Sequence, residues 1–190
     1  MAVAKLTGTW TYEDLLSLPD DGKRYEIIEG VLYEMPSPSW NHQLIITNLL
    51  LLLAPLVRAL GGEIVPAPLD VFFPGADPVE PDIVVILPGS QAVGGGRGVE
   101  GAPDLLIEVL SPSNRPYDLL AKRALYGRAG VREYWIVDPE NRRVELLTLD
   151  RDALHTRQTV SGDDVVVSPL LGDAAFPLPA VFAGLDENPA

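Results

Sequence analysis

The sequence predicts an α/β domain with a central sheet covered on both faces. The runs Ile83–Leu87, Leu105–Leu110 and Tyr134–Val137 are nearly continuous in apolar residues, the pattern of strands buried on both sides. Two longer segments, about Asn41 to Leu60 and Tyr117 to Ala129, read as helices. No linker or repeat interrupts the 190 residues, a length that suits one domain with a real core. Residues 1–190 are therefore read as a single domain: 1–36 an N-terminal helix and hairpin, 41–149 the core, 150–190 a C-terminal extension.

Each element has a local reason. Thr11 followed by Tyr12-Glu13-Asp14 supplies an N-cap and first-turn acids, so a short helix runs to about Pro19. Glu29-Gly30 is a turn between Tyr25–Ile28 and Val31–Glu34, which predicts a β-hairpin over Arg24 to Met35. Pro36-Ser37-Pro38-Ser39 ends it and leads into the long helix, which Pro55 should kink or split and Gly61-Gly62 should stop. Strands follow at Glu63–Val65, Leu69–Phe73 and Asp82–Leu87. The glycine-rich stretch from Gly89 to Gly101 reads as a mobile surface loop; it lacks the Lys-Ser/Thr ending of a phosphate-binding loop. A strand at Asp104–Leu110, a helix closed by Gly130, and strands at Glu133–Asp138 and Val144–Leu149 complete the core. A weak strand at Val165–Val167 precedes Pro-rich coil.

Composition narrows the function. At 47% hydrophobic and 22% charged residues the chain is neither disordered nor fibrous. It has no cysteine, which excludes disulfides, zinc–thiolate sites and thiol nucleophiles. Lys and Arg number 14 against 27 Asp and Glu, a net charge of −13. That disfavours non-specific binding to nucleic acid or an anionic membrane and supplies carboxylates for hard cations. The first residues lack the apolar core of a signal peptide. The run Leu44–Leu60 contains Thr47, Asn48, Pro55 and Arg58 and reads as a buried helix rather than a span. A cytoplasmic protein without membrane contact is expected.

Chemistry is suggested by polar residues in apolar places. Asp82 follows Pro81 at the start of a buried strand; Glu108 lies inside Leu105-Leu106-Ile107-Glu108-Val109-Leu110. A charge there is costly unless paired or bound to a metal. Two acids on neighbouring strands can share Mg²⁺, or Mn²⁺, with waters completing the octahedron. A nearby lysine can orient or deprotonate water and offset phosphate charge. Lys122 can serve so, or form an ordinary i,i+4 helix pair with Asp118; Glu108 can equally pair with a buried arginine, and Pro81-Asp82 can be a simple turn.

Several blocks in order carry a resemblance: Arg24-Tyr25-Glu26-Ile27-Ile28-Glu29-Gly30; Pro36-Ser37-Pro38 with His42-Gln43; Pro81-Asp82; Pro103 to Ser113, containing Glu108-Val109-Leu110-Ser111-Pro112-Ser113; Asp118 with Lys122; and Gly130 to Pro139, containing Glu133-Tyr134-Trp135-Ile136-Val137-Asp138. Together they resemble the Uma family of restriction-endonuclease-like proteins, over roughly Thr11 to Leu149. That family is similar to the PD-(D/E)xK nuclease superfamily, whose core runs helix, three strands, helix, strand. The resemblance implies that core here, with an N-terminal hairpin and extra C-terminal strands. It implies that Asp82 and Glu108 bind the metal, with the backbone carbonyl of Val109 as a further ligand. Leu110 stands where the superfamily has its lysine, and Lys122 on the following helix is the replacement.

Glu26 and His42 are further candidates. Glu26 can reach the metal or its water, or be a solvated hairpin residue. His42 can touch phosphate or shuttle a proton, or simply cap and pack the helix start. Between Ser113 and Arg143 lie Arg115, Lys122, Arg123, Arg128, Arg132, Arg142 and Arg143 against four acids, a basic face for a DNA backbone or an ordinary solvated surface. The leading expectation is a Mg²⁺-dependent nuclease acting on DNA. The alternatives are a non-catalytic interaction module on the same fold, and hydrolysis of RNA or a small nucleotide. A homodimer is expected, with Trp135, Phe176, Phe182 and the Pro-rich tail as its apolar face.

Overall fold

The N-terminal part is a small antiparallel sheet: β1 (Val3–Leu6), β2 (Arg24–Ile28) and β3 (Val31–Met35), in the order β1-β3-β2, with α1 (Tyr12–Leu16) between its first two strands. The computed structural model describes residues 3–6, 9–19, 21–28, 30–35, 37–111 and 115–185. The expected hairpin forms in the register Arg24 with Met35 to Ile28 with Val31. The Thr11 hydroxyl accepts from the Asp14 amide at 3.3 Å and Asp14 returns the bond to the Thr11 amide at 2.9 Å, a reciprocal capping box. That hydrogen bond from the Thr11 backbone holds the Asp14 carboxyl below its ordinary value. The short β1 was not legible in the sequence, where four residues give too little pattern.

α2 (Trp40–Ala59) follows as one helix carrying Pro55 within it. Its apolar length has a simple purpose: Ile45, Ile46, Leu49, Leu53 and Val57 face the core at helical spacing. By length and composition this helix could cross a bilayer, yet these five side chains pack against the sheet. It ends with the Gly61 amide on Arg58 O and the Gly62 amide on Val57 O, a Schellman motif that needs the positive φ of 79° at Gly61.

The chain then builds β4 (Glu63–Pro66), β5 (Val71–Phe72), β6 (Ile83–Ile86), β7 (Val93–Gly95), β8 (Gly98–Glu100), β9 (Leu105–Val109), α3 (Arg115–Ala129), β10 (Glu133–Asp138), β11 (Arg143–Asp150), β12 (Ala153–Ser161), β13 (Val165–Ser168), β14 (Ala174–Pro177) and α4 (Leu178–Val181). The central sheet has the order β12-β11-β10-β9-β6-β4. β9 and β10 are parallel and every other neighbouring pair is antiparallel. Alternation sorts its side chains. Ile83, Val85, Leu105, Ile107, Trp135 and Val137 face α2, while Val84, Leu106, Tyr134 and Ile136 face α3 with Tyr126. Both faces are covered, as the apolar runs predicted.

Three expectations need correction. The Gly89–Gly101 segment is not a featureless loop: β7 and β8 form a hairpin that pairs with β5. Gly98 is required there, because its φ is 139° and a Cβ would stand 2.4 Å from Asp70 O. The C-terminal segment is not coil: β12, β14 and α4 went unread because β12 is half polar and the others are brief. Trp135, Phe176 and Phe182 form no exposed dimer face; they are buried in the core beside α2. The large exposed apolar residues among those described include Trp40, Leu51, Val93 and Leu120 instead.

Glu133 anchors this C-terminal extension. It starts β10, at the opposite end of that strand from Val137, which pairs with Val109. Its carboxylate accepts from Trp135 Nε1 at 2.7 Å, Ser168 Oγ at 2.6 Å and the Leu170 amide at 3.2 Å. Burial pushes its pKa above the ordinary 4.5, and these donors pull back against that. A raised folded-state pKa contributes stability that is full below the ordinary value and fades as pH rises through the raised one. The variant Glu133→Gln mimics the neutral acid. Urea unfolding from about pH 4 to about pH 7 should show wild type losing stability relative to Glu133→Gln; a pH-independent gap contradicts this.

Candidate metal centre

Asp82 directly precedes β6, and Glu108 is the fourth residue of β9. The register pairs Ile83 with Ile107, and its continuation by one residue sets Asp82 opposite Glu108. Opposed residues in an antiparallel pair project from the same face, here the one covered by α3. The link between the two strands is direct: Asp82 Oδ2 accepts from the Val109 amide at 2.7 Å. In an extended strand the N–H and C=O of one residue point to the same side. The Val109 carbonyl therefore faces the Asp82 side, while the next amide, that of Leu110, turns to Val137 O.

α3 delivers the cation. Lys122 Nζ lies 3.0 and 3.1 Å from the two oxygens of Glu108. Both side chains are about nine-tenths buried, each 10% exposed. An isolated charge on either would be costly here; together they compensate each other. The alternative reading of Lys122 as a surface residue pairing along its own helix does not describe this contact, and the Asp118 side chain lies outside the described residues. Tyr126, one turn further along α3, donates its hydroxyl to Glu108 Oε1 at 2.8 Å. This residue was missed in the sequence, where a tyrosine in an amphipathic helix reads as core. Its ring indeed packs edge-on against Tyr134 at 5.1 Å and tilted against Phe73 at 5.8 Å. The available signal was its i,i+4 spacing from Lys122.

His42 comes from the start of α2, where its amide is capped by Ser39 Oγ at 3.2 Å. Its Nε2 stands 3.4 Å from Asp82 Oδ2. Its Nδ1 is buried and has no hydrogen-bond partner among the described residues. A neutral ring carrying its proton on Nε2, toward the carboxylate, would leave Nδ1 as a lone-pair acceptor. Glu26 lies on β2 opposite Tyr33; its side chain lies outside the described residues. Leu110 is a buried core residue facing α3.

The donor set suits a hard cation. Asp82, Glu108 and the Val109 carbonyl offer only oxygen, which matches Mg²⁺ or Mn²⁺ rather than a soft metal. Asp82 Oδ1 takes no hydrogen bond among the described residues, which leaves it open to a ligand. No group of three or more His, Asp or Glu side chains converges among those residues, so a cation here would rely on two carboxylates, a carbonyl and water. Three arginines of the basic face are tied to neighbours while staying at the surface: Arg132 pairs with Asp104 at 3.0 Å, Arg123 Nε donates to Leu154 O at 2.9 Å, and Arg143 lies 3.6 Å from Asp138.

The architecture, a helix and an antiparallel strand group crossing to a parallel pair through a second helix, is that of a restriction-endonuclease-like α/β protein. The chain belongs to the Uma2 family, described as putative restriction endonucleases, whose family model matches residues 12–179. Among solved structures it is similar to a putative nuclease belonging to DUF820 from Anabaena variabilis, with a TM-score of 0.71 and 22% identity over 91% of this chain and 97% of that one. At that identity the likeness shows the fold. No curated protein matches the sequence.

Proposed function

We propose that the protein is a divalent-cation-dependent nuclease that hydrolyses phosphodiester bonds, with DNA as its substrate. The observation that supports this most is the meeting of the Lys122 ammonium with Glu108, on the strand whose next amide bonds Asp82. Asp82, Glu108 and the Val109 carbonyl would hold Mg²⁺ or Mn²⁺, which when bound supplies Lewis acidity and lowers the pKa of a coordinated water. Lys122 orients the water that attacks phosphorus and offsets charge on the phosphate. His42, whose Nε2 stands 3.4 Å from Asp82, is the proposed proton shuttle beside the site. Family membership supports the nuclease class; the cation, the DNA substrate and these residue roles are our reading.

Supercoiled plasmid tests it. Wild type should nick the plasmid with Mg²⁺ or Mn²⁺ and not in EDTA, and Asp82→Ala and Lys122→Ala should not. Equal cleavage by all three proteins overturns the assignment. A folded wild type that cuts neither DNA, RNA nor small nucleotides supports a non-catalytic module on this fold.

A further inference from the structure

We infer that the Lys122 ammonium occupies Glu108 in place of the divalent cation, so that cation binding and lysine release are coupled, and that Tyr126 is the positioning residue that keeps the carboxylate aimed during the exchange. This rests on the cation site proposed above and adds how that site is kept when no cation is bound. An ionised carboxylate near the end of β9, only 7% exposed, is costly unless a positive partner or a metal compensates it. The ammonium supplies it by straddling both oxygens at nearly equal distance, 3.0 and 3.1 Å. A cation shared with Asp82 must take up lone pairs of the same carboxylate, and two positive charges on one buried carboxylate repel strongly. The ammonium therefore yields, and its flexible four-carbon stem lets it turn toward phosphate while α3 stays in place. Tyr126 carries no charge and need not leave. Its ring is fixed among Phe73 and Tyr134, so its hydroxyl defines where Oε1 sits whether lysine or metal holds the rest.

Mn²⁺ affinity measured by electron paramagnetic resonance, with thermal unfolding in EDTA and in Mn²⁺, tests the exchange independently of cleavage. Lys122→Met should bind Mn²⁺ about tenfold or more tightly than wild type, since the competing charge is gone. Its unfolding midpoint should be low in EDTA and rise with Mn²⁺ by more than that of wild type. Lys122→Gln should follow the same order, with a smaller loss in EDTA. Tyr126→Phe should weaken Mn²⁺ binding roughly tenfold, the scale for residues that orient a ligand. Mn²⁺ affinity in both lysine variants no greater than in wild type overturns the exchange, as does a Lys122→Met protein that saturating Mn²⁺ does not restore. Unchanged affinity in Tyr126→Phe removes the positioning role. Tighter Mn²⁺ binding in the lysine variants beside a wild type that leaves plasmid intact defeats only the nuclease reading.

Discussion

Asp82→Asn is expected to lose cleavage by roughly 10²–10³-fold while its thermal midpoint stays within about 2 °C of wild type. The carboxylate has two separable tasks. Oδ2 satisfies the Val109 amide at 2.7 Å and faces His42; an amide oxygen can accept that same bond, so the end of β9 remains tied to the start of β6. What asparagine removes is the charge. A ligand contributing several kcal/mol of transition-state stabilisation corresponds, at about 1.4 kcal/mol per decade, to the loss stated. Asp82→Ala removes both tasks and strands a buried amide, which adds about 1–3 kcal/mol of destabilisation. Plasmid-nicking rates and melting curves for the two variants separate these effects. Substantial cleavage by folded Asp82→Asn means that Asp82 only ties strands together.

The split between what the sequence disclosed and what it did not has physical causes. The three central strands and both long helices were legible because burial on both faces leaves little room for polar residues, and because Gly61-Gly62 and Gly130 mark helix ends. Asp82 and Glu108 stood out for the same reason, as charges where the pattern forbids them. Tyr126 did not, since its ring obeys the core pattern and only its hydroxyl departs from it. Which way Lys122 points is equally hidden: its approach to Glu108 depends on how α3 lies on the sheet. The β7–β8 hairpin was concealed by glycines that usually signal mobility. Here Gly98 answers a close approach of Asp70 O that no one-dimensional pattern contains. Phe176 and Phe182 looked exposed because prolines surround them, yet the face of the sheet beside α2 is wide enough to need their cover.

The cluster around Glu108 should also behave as one unit in stability. Glu108→Leu removes a carboxylate partner of a buried ammonium and is expected to cost about 3–5 kcal/mol, a large share of the roughly 5–15 kcal/mol that holds a domain of this kind folded. The residual charge, and not the lost contact, dominates that figure. Replacing all three members, as Glu108→Leu/Lys122→Met/Tyr126→Phe, removes the ammonium charge and the tyrosine hydroxyl together with the carboxylate they share. The surroundings favour such a change, since Leu106, Leu110 and Tyr134 already make that side of the sheet apolar. Urea unfolding should therefore find the triple variant more stable than Glu108→Leu alone, with a coupling of several kcal/mol among the sites, although it cuts no DNA. Additive losses would mean that the three side chains act independently, and that the 3.0 Å approach of Lys122 to Glu108 contributes little to either folding or the site.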